Sequence, residues 1–198
     1  MMRLPVPMAI LLVTVLAASA VRAQPEGPGG EGSRPEVSRP GSQVVGDGLI
    51  VPGERVGPAR LTMTIEQIVA AVGTKPRRDE FPREGIVLYE WRAEGLWVSL
   101  AMATGRIRLI SAFGTNDRYR TDRGVSLMMR RGRIEEVYGK TYKEYRYPED
   151  RVARLHYDDL GLQFGLVHQP GNPALHDRIF QIGVYRPGHL APVKQPAR

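Results

Sequence analysis

The feature that most constrains this chain is that its central part repeats itself. Shifted by 66 positions, Leu61, Met63, Ile68, Gly73, Pro82, Gly95, Leu96 and Leu100 fall on Leu127, Met129, Ile134, Gly139, Pro148, Gly161, Leu162 and Leu166. Composition alone gives roughly two or three identities over the window from Leu61 to Leu100, and eight are found there. Beyond Leu166 the offset becomes 72, with Arg106, Ile107 and Ile110 matching Arg178, Ile179 and Ile182. The extra residues surround Pro170, Gly171, Asn172 and Pro173, a loop composition in which an insertion is tolerated. A chain built this way folds as two copies of one unit.

Each copy opens with a helix signal. Thr64 precedes Ile65, Ile68, Val69 and Val72 at helical spacing, Gln67 completes a capping box, and Gly73 ends the pattern; the second copy runs through Ile134, Val137 and Tyr138 to Gly139. Three strands follow in each, predicted at Ile86 to Arg92, Leu96 to Ala103 and Arg106 to Phe113, then at Val152 to Asp158, Leu162 to His168 and Arg178 to Tyr185. Gly95 and Gly161 stand where a tight hairpin needs positive φ. The expectation is an α+β fold: two tandem copies of a helix packed on a three-stranded, or larger, antiparallel meander, in two layers, spanning 47–121 and 122–187. One such unit is marginal alone, so the copies are expected to share a continuous sheet or to pack tightly.

The run Leu61-Thr62-Met63-Thr64, followed by Ile68, Gly73 and a meander, resembles the Leu-Gly-Met-Thr signature of the β-lactamase-inhibitor-protein superfamily. The small outer-membrane assembly lipoproteins carry a similar unit; the second copy reads Leu127-Met128-Met129-Arg130. The resemblance covers about Leu49 to Pro187. It implies a helix-plus-sheet repeat and a habit of binding proteins through a curved sheet, without an active site to transfer. The inhibitors are stapled by disulfides and the assembly proteins are lipid-anchored. This chain has no cysteine, so neither specific partner is carried over.

Outside the repeat the chain reads as export machinery and tails. Arg3, an apolar run from Met8 to Ala20, and Val21-Arg22-Ala23 before Gln24 make a signal peptide over 1–23. The run is too short to span a bilayer comfortably, and no later segment is long enough, so no transmembrane segment is expected. Residues 24–46, rich in Gly, Pro, Glu, Ser and Arg, read as a disordered linker, and 188–198 as a flexible tail. The lack of cysteine removes disulfides and thiolate chemistry. With the signal peptide gone the formal charge is 26 − 21 = +5, a mild basic bias that gives no nucleic-acid signature. Localisation is therefore expected to be periplasmic or extracellular.

No nucleotide-binding, metalloprotease or nucleophile-elbow motif occurs, and no cofactor or metal site is expected. Hairpin pairing sets His156 opposite Gln163 rather than His168, which argues against a shared metal. Alternation puts Leu96, Val98, Leu100 and Met102 on the helix-facing side, leaving Trp97 to face outward. The neighbouring strands add Leu88, Glu90, Arg92, Phe113, His156, Asp158, Gln163 and Tyr185 to that outward face. Aromatic anchors with charges of both signs suit a protein partner, which is the leading expectation for function. Two alternatives compete. Arg130, Arg131 and Arg133 at the start of the second helix oppose its macrodipole and suggest a surface for an anionic envelope component. Glu90 with Arg92, and His156 with Asp158 at the equivalent positions of the second copy, are the strongest acid/base candidates for a hydrolase.

Overall fold

The alternation in the sequence resolves into far more β-structure than helix. A computed structural model describes residues 47–115, 117–147 and 151–189. The expected signal peptide, the whole expected linker, and the tail from residue 190 lie outside them. In chain order the elements are β1 (Leu49–Val51), β2 (Arg55–Val56), β3 (Ala59–Arg60), α1 (Ile65–Val72), β4 (Arg77–Phe81), β5 (Ile86–Trp91), β6 (Leu96–Ala101) and β7 (Ile107–Phe113). They continue with β8 (Arg120–Thr121), α2 (Arg131–Tyr138), β9 (Lys143–Tyr147), β10 (Val152–Tyr157), β11 (Leu162–Val167) and β12 (Ile179–Val184).

The expected α+β class is therefore corrected. Among the described residues twelve strands form a four-stranded sheet, β3-β2-β1-β8, and an eight-stranded sheet, β4-β5-β6-β7-β12-β11-β10-β9, with two helices of eight residues each. The sequence reading missed β4 and β9, the outer strands of the large sheet. Arg77-Arg78-Asp79-Glu80-Phe81 is charged on both faces and has no hydrophobic alternation, while Lys143-Glu144-Tyr145-Arg146-Tyr147 alternates only through Tyr145 and Tyr147, too short a run to stand out beside its charges. Charge of this kind keeps an unpaired edge from recruiting another strand. The small sheet was missed because strands of two or three residues have no period to read.

Local chemistry explains the elements that do follow the sequence. The Thr64 hydroxyl accepts from the Gln67 amide at 3.3 Å while the Gln67 side chain accepts from the Thr64 amide at 2.8 Å, closing the capping box of α1. The second helix has no side-chain cap; its Arg131 amide instead donates to the Asp177 carbonyl at 3.0 Å, so the inserted loop satisfies the helix start. Gly161 has φ +63°, and a Cβ there would lie 2.1 Å from the Tyr185 carbonyl oxygen, so only glycine fits this turn.

All pairs in the large sheet are antiparallel. The two middle strands, β7 and β12, meet with Ser111 opposite Gly183 and Ile110 opposite Val184. Each half carries a register shift at matching places, between Ser99 and Leu100 and between Gly165 and Leu166. Leu96, Val98, Ile110, Ala112, Leu155, Leu162, Phe164, Ile182 and Val184 share one core with Ile68 and Val72 of α1, Ile134 and Tyr138 of α2, and Ile50, Val56 and Ala59 of the small sheet. By strand parity these sheet residues lie on one face, so helices and small sheet pack there and the opposite, outer face contributes none of its side chains to that core. Met102, expected on the core side, falls beyond the end of β6 and is exposed. No helix among the described residues is long and apolar enough to cross a membrane.

Candidate functional site on the outer sheet face

Register assembles the outer face from residues far apart in sequence. One row runs Arg77, Glu90, Trp97, Ser111, Gly183, Gln163, His156, Lys143 across all eight strands. The row reads the same in both directions under the repeat: Glu90 corresponds to His156, Trp97 to Gln163 and Ser111 to Gly183. One backbone frame thus carries two different chemistries, an aromatic half and a polar half.

In the aromatic half Trp97 lies half-buried and stacks on Phe113, its diagonal neighbour across β7, with ring centroids 4.2 Å apart and planes at 19°. Its indole nitrogen is buried and has no acceptor. Leu88 sits one pair away, opposite Ser99. Glu90 is buried and accepts from Arg92 Nε at 3.4 Å, while Arg92 lies past the end of β5 and is exposed. An open cavity of about 460 Å³ adjoins this end, lined by Thr74, Lys75, Arg77, Glu90, Arg92 and Glu94 among others.

In the polar half His156 faces Gln163 directly, as hairpin pairing predicts. His156 is 6% exposed; burial first, then Arg154, pulls its pKa down to about 4, so the imidazole is neutral at neutral pH. The Tyr145 ring stands edge-on against it at 4.9 Å. Tyr185 corrects an expectation: it is fully buried rather than an exposed anchor, its hydroxyl donating to Asp158 at 2.9 Å. Burial and the adjacent carboxylate push that phenol well above its ordinary range. Burial alone would raise the Asp158 carboxyl, but hydrogen bonds from Lys143 and Tyr185 outweigh it and hold it low.

Side chains packed over two interior glycines explain why polar groups are buried on a face that no other described element covers. A Cβ on Gly183 would meet Ser111 Oγ at 2.8 Å and Gln163 Cγ at 3.0 Å; one on Gly165 would meet the Phe180 ring at 3.0 Å. Phe180 is the extra residue of the register shift in β12. Glycines inside predicted strands were the available signal for this packing.

Arg131 forks onto Glu144 at 3.0 and 3.1 Å and lies 3.5 Å from Asp177, Arg133 pairs with Glu136 at 2.8 Å, and Arg130 donates to the Pro173 carbonyl at 2.9 Å. Each of the three arginines at the start of α2 thus has a partner within the protein, with Arg131 the most enclosed and Arg130 and Arg133 exposed. Glu90 and His156 stand on β5 and β10, five inter-strand steps apart, or about 24 Å at ~4.8 Å per step. They do not converge as a dyad requires. Among the described residues no three His, Asp or Glu side chains are grouped to hold a metal ion; His168 and His176 approach at 5.4 Å without a third ligand.

No protein-family model matches the chain, and no curated protein does. Two solved structures are similar to it. The uncharacterized protein yfeY from Escherichia coli is 13% identical, with a TM-score of 0.49 over 69% of this chain and 99% of that one. YjgB, a DUF4309 family protein from Bacillus subtilis, is 16% identical, with a TM-score of 0.45 over 68% of this chain and 88% of that one. At these scores neither likeness contributes to the functional reading, and neither bears on the inhibitor-like superfamily that the repeat resembles.

Proposed function

We propose that this protein is an exported, non-catalytic binding module that holds a protein partner against the outer face of its eight-stranded sheet. The observation that carries the reading is Trp97. It lies outside the core, stacked on Phe113, with a buried indole N–H that has no acceptor. An amphipathic ring of this kind, fixed in place before binding, is the commonest anchor of protein interfaces. The signal-peptide pattern over 1–23 supports export, and the resemblance to a superfamily that binds proteins through a sheet supports the choice of surface.

The test compares the two tryptophans of the chain. Trp91 is 1% exposed and donates to the Thr74 carbonyl at 2.9 Å, so Trp91→Ala removes core and costs about 3–5 kcal/mol of stability. Trp97→Ala should leave the melting temperature far less changed, while weakening retention of envelope-extract proteins on the immobilised mature chain by about 2 kcal/mol or more. The same proteins retained equally by wild type and Trp97→Ala, or a melting-temperature drop matching that of Trp91→Ala, rejects the assignment.

A further inference from the structure

We infer that the polar half of the outer face is a carboxylate-binding subsite, built from Gln163, His156 and Arg154, that takes an acidic side chain of the bound protein. The inference rests on the docking face proposed above and names the chemistry its partner must bring.

Three buried polar atoms gather there without a hydrogen-bond partner: Gln163 Nε2, His156 Nε2 and Arg154 Nε. Gln163 is 1% exposed and His156 6%, so these are groups withdrawn from water. They are neighbours by construction. His156 and Gln163 are a cross-strand pair, and Arg154 lies two residues along β10 on the same face, with its guanidinium 5.3 Å from the Tyr147 ring centroid. A buried polar group left unpaired costs about 1–3 kcal/mol, so a partner that supplies the missing contacts recovers that energy on binding.

The chemistry of the three groups selects the ligand. The amide N–H and the guanidinium are donors, the neutral imidazole donates in its Nε2–H tautomer, and the carboxylates nearby are already used. Asp158 accepts from Lys143 and Tyr185, and Glu144 faces the core side with Arg131. Arg154 has no carboxylate partner among the described residues. Two neutral donors with one guanidinium match a singly charged, planar acceptor, and the fork geometry of arginine fits a carboxylate. The Tyr145 ring, from the edge strand β9, covers His156 and must be displaced as the ligand enters.

The spacing ties the subsite to the aromatic half. Trp97 and Gln163 are three strand steps apart in one row, about 14 Å. An extended segment crosses that distance in about four residues. The partner segment therefore places an apolar side chain on Trp97 and an acidic one about four residues away.

The probes are N-acetylglutamate amide and its neutral twin N-acetylglutamine amide, titrated into the ¹⁵N-labelled mature chain and read by NMR at the side-chain N–H signals of Gln163 and Arg154. The acidic probe should shift both saturably and bind at least tenfold more tightly than the neutral one. Arg154→Met and Gln163→Leu should each abolish that preference, and Tyr145→Ala should strengthen it. Equal response to both probes, no saturable response, or a preference that survives Arg154→Met overturns the subsite. Loss of the preference with Trp97-dependent protein retention intact removes the subsite alone; loss of Trp97 dependence with the preference intact removes the docking-face reading alone.

Discussion

Ser111 lies directly opposite Gly183 where the two halves of the large sheet join, and the two residues occupy equivalent positions of the repeat. A local twofold relation therefore passes between them: Ile110 pairs with Val184 and Ala112 with Ile182, and the 72-residue offset carries one pair onto the other. The Ser111 hydroxyl accepts from Gln181 at 2.9 Å, which fastens the seam by a side-chain bond as well as by the ladder. The missing side chain of Gly183 is what lets Ser111, Leu109 and Gln163 close over it.

Gly183→Ala should accordingly destabilise the fold by about 1–3 kcal/mol, because its methyl would lie 2.9 Å from Leu109 Cδ1 as well as against Ser111 and Gln163. Gly132→Ala is the contrast. It lies inside α2 with nothing within 4 Å of a new Cβ, so alanine should stabilise by about 1 kcal/mol. Urea unfolding of both variants checks the pair. Opposite signs are the expected result.

The arginines of α2 should separate in the same assay. Arg131→Gln strips Glu144 of a two-bond partner in a largely buried site and should cost about 1–3 kcal/mol. Arg133→Gln removes one exposed pair with Glu136 and should change stability by no more than about 0.5 kcal/mol. Equal costs would mean that the fork onto Glu144 contributes nothing special.

Two pH windows follow from the depressed groups. His156 titrates near 6.5 when unfolded and at about 4 when folded, with Arg154, Asp158, Lys143, Tyr145, Gln163 and Tyr185 around it. As pH falls below ~6.5 the unfolded chain takes up the proton first, so this contribution to stability, on the order of 2–3 kcal/mol, is lost between ~6.5 and ~4. Glu144, held at about 2 first by the hydrogen bonds from Arg131, loses its contribution at lower pH, from about 4.5 down through about 2. Unfolding free energies measured at pH 7, 5.5 and 4 should fall in wild type, while His156→Gln should flatten that interval and leave the decline below pH 4.5 in place. A slope between pH 7 and 4 unaltered by His156→Gln would show that the imidazole is not buried in its neutral form.

The sequence by itself determined what depends on neighbours a few residues apart. Alternation in Leu96-Trp97-Val98-Ser99-Leu100 put Val98 on the core side and Trp97 outside it; Thr64 and Gln67 marked the start of α1; Gly161 marked a turn that no Cβ fits. These are local backbone preferences and periods, and a single sequence carries them. Only the tertiary structure decided what depends on distant pairing. The charged outer strands β4 and β9 exist because β5 and β10 offer them a ladder; β4 carries no alternation that announces it, and β9 only the two tyrosines at 145 and 147. The fork from Arg131 to Glu144 needs β9 in place, the burial of Gln163 on a face expected to be exposed needs the β7 to β12 seam with glycine at 183, and that of Tyr185 comes with its bond to Asp158. Periodicity tells which way a side chain points. Whether it then meets water, a carboxylate or a neighbouring ring is set by strands some seventy residues away.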